Sequence, residues 1–286
     1  MVVFINRSVL LRFRSFLAAV VLSSSQLGAT NILDFASISR SQNYTQTSAA
    51  QPANAQYQFS SQVRILNFGD FDSASMKVPG GVPIGMPVLD SFNFTYTSAL
   101  TSNFALFNSN FPIGTYSFTA TDSTNTNAPQ TLAFAYLADS FASSIPYFTN
   151  FSALNGLDTL QDFNLNWNPM TGAAGDASFV FIDLFDAVTD EDISSVVINQ
   201  AATSATLPAF SLAPNHKYTF RLTFRNEFRP IYTAGAGGFE GTGLPFLDFD
   251  SVTFATFMTT TPTPEPVTWI AVGAGLIAIL GRRLRP

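Results

Sequence analysis

Apolar and polar residues alternate through the middle of the chain. Tyr57, Phe59, Val63 and Ile65 fall on one face of an extended segment, and Ala74, Met76 and Val78 make a second such run. Phe92, Phe94 and Tyr96 form a third, Tyr116, Phe118 and Ala120 a fourth, and Leu132, Phe134 and Tyr136 a fifth. A period of two is that of half-buried strands. Turn-forming stretches separate them: "PGGVPIG" at 79–85, "FPIGT" at 111–115 and "DSTNTNAP" at 122–129. One segment breaks the period, with Leu100, Phe104, Phe107 and Phe111 at helical spacing, which predicts a short helix near 98–111 stopped by Pro112. Its aromatic stripe is read as core, because a lone short helix needs a surface to bury against. The pattern predicts a β-sandwich with one helix over residues 57–144.

Further on, "DFNLNW" places Phe163, Leu165 and Trp167 on one face, and "KYTFRLTFR" alternates Tyr218, Phe220, Leu222 and Phe224 inward with Thr219, Arg221, Thr223 and Arg225 outward. A closing run, "DSVTFATFMTT", spans 250–260. "LAPNHKY", from Leu212 to Tyr218, resembles the turn of fibronectin type III domains, where Leu-x-Pro precedes a Tyr whose hydroxyl ties back to the loop. Trp167, on an early strand, suits such a sandwich. The resemblance covers about 145–260 and implies a fibronectin III/Ig-like β-sandwich, with the strand order between Asp183 and Ala205 left open. The fold class is therefore mainly β, with two sandwich domains.

The flanks differ from this middle. Residues 30–56 are rich in Ser, Gln, Asn, Thr and Ala, and predict a flexible lead-in. Residues 1–29 combine a basic start, an apolar stretch from Ser15 to Leu22 and small residues ending at Ala29, the layout of a signal peptide cleaved after Ser25 or Ala29. Export through the Sec translocon follows. At the other end, residues 267–281 carry no charge; fifteen residues at 1.5 Å give roughly 22 Å, a short single transmembrane helix. Interfacial Trp269 and the terminal arginines extend its reach, and the arginines place the C-terminus on the cytoplasmic side.

Pro264, Glu265 and Pro266, the short Gly/Ala/Leu/Ile helix and the cluster Arg282, Arg283 and Arg285 resemble the PEP-CTERM sorting signal of Gram-negative bacteria, over 261–286. The resemblance implies an exosortase-type processing enzyme as partner. It also implies an inner-membrane anchor before processing, and a final place at the cell surface or in an exopolysaccharide matrix.

Composition narrows the chemistry. With no cysteine, neither a disulfide framework nor a thiolate site is available. Removing the six terminal arginines (Arg7, Arg12, Arg14, Arg282, Arg283, Arg285) from 13 basic residues leaves about seven against 19 acidic ones. So acidic a middle argues against nucleic-acid binding. His216 is the only histidine, and it falls in the predicted corner turn, where a solvated role is expected. "DLFDAVTDEDISS" gathers Asp183, Asp186, Asp190, Glu191 and Asp192. Such oxygen ligands could hold calcium, but the spacing is not that of an EF-hand, and a hydrated acidic loop is the preferred reading. Carboxylate pairs at Asp70 and Asp72, or Asp248 and Asp250, have glycosidase-type spacing of little specificity. The Gly-rich 233–245 stretch lacks the Lys and the strand-to-helix setting of a phosphate loop. Sequons at Asn43, Asn93 and Asn150 are uninformative beside a bacterial sorting signal.

The expectation is a non-enzymatic surface or matrix protein with a structural or interaction role. A secreted carbohydrate-binding or glycan-active module is the alternative. No catalytic residue or resident cofactor is assigned.

Overall fold

Strand β15 (Phe246–Met258) is the longest late strand, and it is hydrogen-bonded along both edges. Antiparallel to it lies β13 (Lys217–Phe228); on its other edge β1 (Leu33–Gln46) runs parallel, with Ser37–Gln46 in register with Phe246–Ala255. This computed structural model describes residues 33–66, 71–124, 128–230, 232–234 and 245–260. The sheet grows outward from the central pair. On one side come β10 (Ala177–Asp186) and β11 (Asp192–Asn199) beyond β13; on the other come β2 (Gln56–Ile65), β6 (Asn93–Thr97) and β5 (Val88–Asp90) beyond β1. The result is one eight-stranded sheet in the order β11-β10-β13-β15-β1-β2-β6-β5.

Both cores pack on the same face of this sheet. Along β15, Leu247 and Phe249 belong to the first core and Ala255 and Phe257 to the second, and alternate residues share a face. Opposite the first core lies a five-stranded sheet of β14 (Tyr232–Ala234), β8 (Gln130–Tyr136), β7 (Gly114–Thr121), β3 (Ser73–Lys77) and β4 (Pro83–Met86). Its runs Ala74 and Met76, Tyr116 and Phe118, and Leu132 and Phe134 are all buried, as the alternation predicts. A helix of about two turns, α1 (Phe104–Asn110), begins where the Asn103 side chain accepts from the Leu106 N–H at 3.0 Å. It is shorter than the 98–111 expected. Phe107 and Phe111 enter the core, Phe104 lies against Tyr57 (4.7 Å between centroids), and Leu100 stays outside the helix and exposed.

The second core is closed by the pair β9 (Phe163–Asn166) and β12 (Ser204–Leu207), extended by an antiparallel bridge between Phe148 and Trp167. With β11-β10-β13-β15 facing that pair, the second unit is a fibronectin III/Ig-like β-sandwich. The region left open in sequence is the β10–β11 hairpin followed by the crossing to β12. Trp167 is buried and donates to the Ala202 carbonyl at 2.9 Å. The tyrosine corner is present: the Ala213 N–H donates to the Tyr218 hydroxyl at 2.9 Å, with Asn215 at φ 53 turning the chain.

Two domain expectations need correction. Residues 33–46 are not a lead-in but a central strand, and the boundary at 144/145 does not divide two separate sandwiches, because β1 and β15 run on through one shared sheet. The connection over 137–147 crosses the packed face between the cores, and polar side chains of the long sheet meet it. Gln46 donates to the Phe148 carbonyl and accepts its N–H, both at 2.8 Å, and Thr253 donates to the Pro146 carbonyl at 2.6 Å. Asn226 donates to the Ser140 carbonyl at 2.7 Å. Arg40 is 1% exposed, pairs with Asp139 at 3.1 Å, donates to Asn108 and the Tyr136 hydroxyl, and stacks 4.4 Å from the Phe107 centroid. A buried guanidinium is tolerable only with such a set of partners.

Removing the Tyr218 hydroxyl leaves the Ala213 N–H without its acceptor. Tyr218→Phe should lower stability by about 0.5 to 1.5 kcal/mol with the sheet retained. Equal urea midpoints for variant and parent would contradict the corner's role.

Candidate functional site

The face of the long sheet opposite the cores carries no second layer among the described residues. Alternation puts Ser37, Ser39, Ser41 and Asn43 of β1 there, in rows with Gln58, Ser60 and Gln62 of β2 and Thr95 and Thr97 of β6. On the far side of the β1–β15 seam the same rows continue through Asp248 and Asp250, Arg221 and Arg225, and Phe181 and Asp183. Together these side chains line a concave groove of about 690 Å³. It is polar along its β1, β2 and β6 side, and half-buried rings of Phe181, Phe246 and Phe254 lie along the other.

Cross-strand ion pairs organise the floor. Arg225 grips Asp250 with two bonds, Nε to Oδ1 at 2.7 Å and Nη2 to Oδ2 at 2.8 Å, the planar two-point match of guanidinium and carboxylate. Its remaining nitrogen reaches Asp248 Oδ2 at 3.2 Å. Arg221 donates to Asp183 at 2.9 Å, and Ser195 donates to the other oxygen of that carboxylate. Each guanidinium also faces a ring, Arg225 at 4.8 Å from the Phe181 centroid and Arg221 at 4.9 Å from Phe185.

Asp248 is the anomaly. It is 5% exposed, its Oδ1 has no hydrogen-bond partner among the described residues, and burial pushes its pKa up to about 7, opposed by Arg225 and reinforced by Asp250 and Glu227. Arg225 nonetheless keeps its charge strongly. The carboxylates of Asp250, Asp248 and Glu227 outweigh burial there and raise its pKa. The two facts agree once the contacts are ranked: the close two-point pair with Asp250 satisfies the guanidinium, whereas Asp248 holds one longer contact and bears the desolvation.

The sequence-predicted site residues are dispersed. Asp183 is buried in β10 with Arg221, and Asp186 accepts from the N–H groups of Val188 and Thr189 in the hairpin turn, which hold its pKa low. Asp190 takes a positive φ of 59° in that turn, the Glu191 carbonyl accepts from the Asp186 N–H, and Asp192 opens β11. The segment is a tight hairpin, and among the described residues no group of three or more His, Asp or Glu is placed to hold a metal ion, so calcium gains no support over the preferred reading of a hydrated acidic loop. His216 is not simply solvated. Its Nε2 lies 2.7 Å from Asp186 Oδ2 and its ring packs on Tyr218, clipping the hairpin to the corner.

Asp72 lies on the surface and accepts from Ser123, away from the groove, and its supposed partner Asp70 is outside the described residues. Asp248 and Asp250 do share a face, as their spacing implies, but with an arginine joining them. Pro264, Glu265, Pro266, Arg282, Arg283 and Arg285, the leader and the 267–281 segment also lie outside the described residues. Among those described, no helix is long and apolar enough to cross a membrane.

No family model matches the chain, and no curated protein sequence matches it. Among solved structures, the chain is similar to the FN1-FN3 domains of chicken CNTN1 at 11% identity and a TM-score of 0.28, over 72% of this chain and 62% of that one, under two thirds of its length. A two-domain fibronectin type III segment of chicken tenascin is similar at 14% identity and a TM-score of 0.23, over 62% of this chain and 91% of that one. The BSP domain of a biofilm associated protein is similar at 17% identity and a TM-score of 0.22, over 73% of this chain and 28% of that one. The architecture rests on the strand order and the tyrosine corner described above.

Asp248 sets a pH dependence. Its pKa is raised on folding, so the native state binds the extra proton. Its contribution to stability is complete below the unfolded value near 4, and is lost as pH rises through about 7. Urea midpoints should fall between pH 5 and pH 8, and Asp248→Asn should flatten that fall. Parallel profiles for parent and variant would show that the proton resides elsewhere.

Proposed function

We propose that the chain is an exported, exosortase-processed protein of the bacterial surface or extracellular matrix, with a structural and interaction role and no catalysis of its own. The observation that carries the reading is the open polar face, a groove of about 690 Å³ that crosses the seam between the two halves of one rigidly paired sheet. A sheet packed on one side and open on the other offers a broad, preformed surface at little conformational cost, which suits the holding of an extended partner. The leader-like start and the Pro-Glu-Pro, apolar and arginine-rich end support export, a transient membrane anchor and release.

A glycan-cleaving enzyme is the second reading, and the observation in its favour is a buried acid of raised pKa, Asp248, on the same face as the carboxyl of Asp250. Against it stands Arg225, which occupies both carboxylates at once. Reducing ends released from a polysaccharide by the parent chain, and not by Asp250→Asn, would establish the enzyme over the binding protein.

Processing gives the direct test of the leading reading. In cells lacking the processing enzyme, full-length protein should accumulate in membranes; in competent cells a form lacking Arg282, Arg283 and Arg285 should appear outside. Intact mass of the external form decides the matter, and retention of those arginines would refute processing.

A further inference from the structure

We propose that the groove seats a strand of uncharged, hydroxyl-rich polysaccharide, laid across the β1–β15 seam between the hydroxyl ladder of β1, β2 and β6 and the Asp248–Arg225–Asp250 cluster. The proposal rests on the reading of this face as the interaction surface and names the ligand class. Four observations converge on it.

The first is unused hydrogen-bonding capacity. The hydroxyls of Ser37, Ser60, Thr95 and Thr97 line the groove and have no hydrogen-bond partner among the described residues. Each can exchange a hydrogen bond to water for one to a ligand hydroxyl. Sugar hydroxyls both donate and accept, which is what a floor of mixed hydroxyl, amide and carboxylate groups requires.

The second is charge. The floor holds Asp183, Asp248 and Asp250 against Arg221 and Arg225, and both guanidiniums are already engaged by those carboxylates. Among the described lining residues carboxylates outnumber guanidiniums, Arg225 is taken up by two of them and Arg221 is paired through its Nε, so phosphate and uronate chains are disfavoured. An uncharged chain fits this balance.

The third is the placing of apolar surface. Protein interfaces keep charge out of the centre and put aromatic residues there. Here the order is reversed: ion pairs hold the middle, and half-buried Phe181, Phe246 and Phe254 lie beside them. Rings set beside polar groups suit the stacking of sugar C–H faces combined with hydrogen bonds to their hydroxyls.

The fourth is extent. Five inter-strand steps separate β10 from β6, which at roughly 4.8 Å each gives a floor about 24 Å across, with a lining more polar than that of a typical small-molecule pocket.

Affinity electrophoresis of the chain recovered from cells, in non-denaturing gels cast with hydroxyethylcellulose, dextran or galactomannan and with alginate as the polyanionic comparison, tests this. At least one neutral polymer should retard the parent, and alginate should retard it less. The triple variant Ser37→Ala, Ser60→Ala, Thr97→Val deletes groove-lining hydroxyls outside both cores, and its melting temperature should be unchanged while binding weakens tenfold or more. Asp248→Ala should also weaken binding; if it fails to fold, the triple variant still decides. Absence of retardation by every neutral polymer, undiminished binding by the triple variant, or stronger retardation by alginate would each overturn the proposal. Retention at the cell surface separates it from the reading beneath it. Loss of retention in the triple variant without any neutral-polymer binding would reject the polysaccharide and keep the face as the interaction surface. Full retention in the triple variant, with no polymer bound by the parent, would reject both.

Discussion

Strand β15 is paired with β13 on one edge and with β1 on the other, and from that double pairing the two cores and the open face all follow. Because both neighbours are in register over most of its length, a single alternation of side chains is imposed on the whole sheet. Odd positions of β15 meet the cores; even positions meet the groove. A slip of one residue at the seam would carry Asp248 and Asp250 into a hydrophobic core and expose Leu247 and Phe249. Register is therefore fixed by two apolar clusters that lie on the same side of one strand.

Between those clusters the packed face is not apolar. The connection from one half to the other must cross it, bringing backbone N–H and C=O groups into a buried place where water cannot serve them. Gln46, Thr253 and Asn226 supply the missing partners, and Arg40 holds Asp139 as the chain leaves the first core. The polar residues on the packed face of β1, β13 and β15 are thus required by the crossing segment, much as apolar ones are required by the cores.

This explains what the sequence could and could not reveal. Strands with one face on a hydrophobic core, such as Tyr116–Ala120, Leu132–Tyr136 and Tyr218–Phe224, announce themselves by alternation, and the Leu212–Tyr218 turn carries its own signature. β1 does not. One of its faces bears Ser37, Ser39, Ser41 and Asn43 toward the groove, and the other passes from Ala36 and Ile38 to Arg40 and Gln46 as it leaves the first core for the crossing segment. Its composition is that of a loop although its hydrogen bonding is that of a central strand. The groove was hidden for the same reason, since its residues come from strands far apart in the chain and read locally as ordinary outward-facing positions. Asp248 and Asp250 were noticeable as a pair, but only the β13 register brings Arg225 to them. The acidic segment is close in sequence but not in space: the β10–β11 hairpin sets Asp183 in the sheet beside Arg221 and leaves Asp186 and Asp190 at the turn.

The seam has a mechanical meaning as well. β1 and β15 run in the same direction, so tension entering at the C-terminal end of β15 and leaving at the N-terminal end of β1 pulls the two strands past each other rather than apart. Parallel ladders space their hydrogen bonds evenly, and under such a load the bonds between Ser37–Gln46 and Phe246–Ala255 share the force and must yield together instead of unzipping one by one. Resistance to forced unfolding is set by the rate of crossing that barrier rather than by equilibrium stability. Force applied between those two ends would therefore meet the ten paired positions of the seam as one shear-loaded joint.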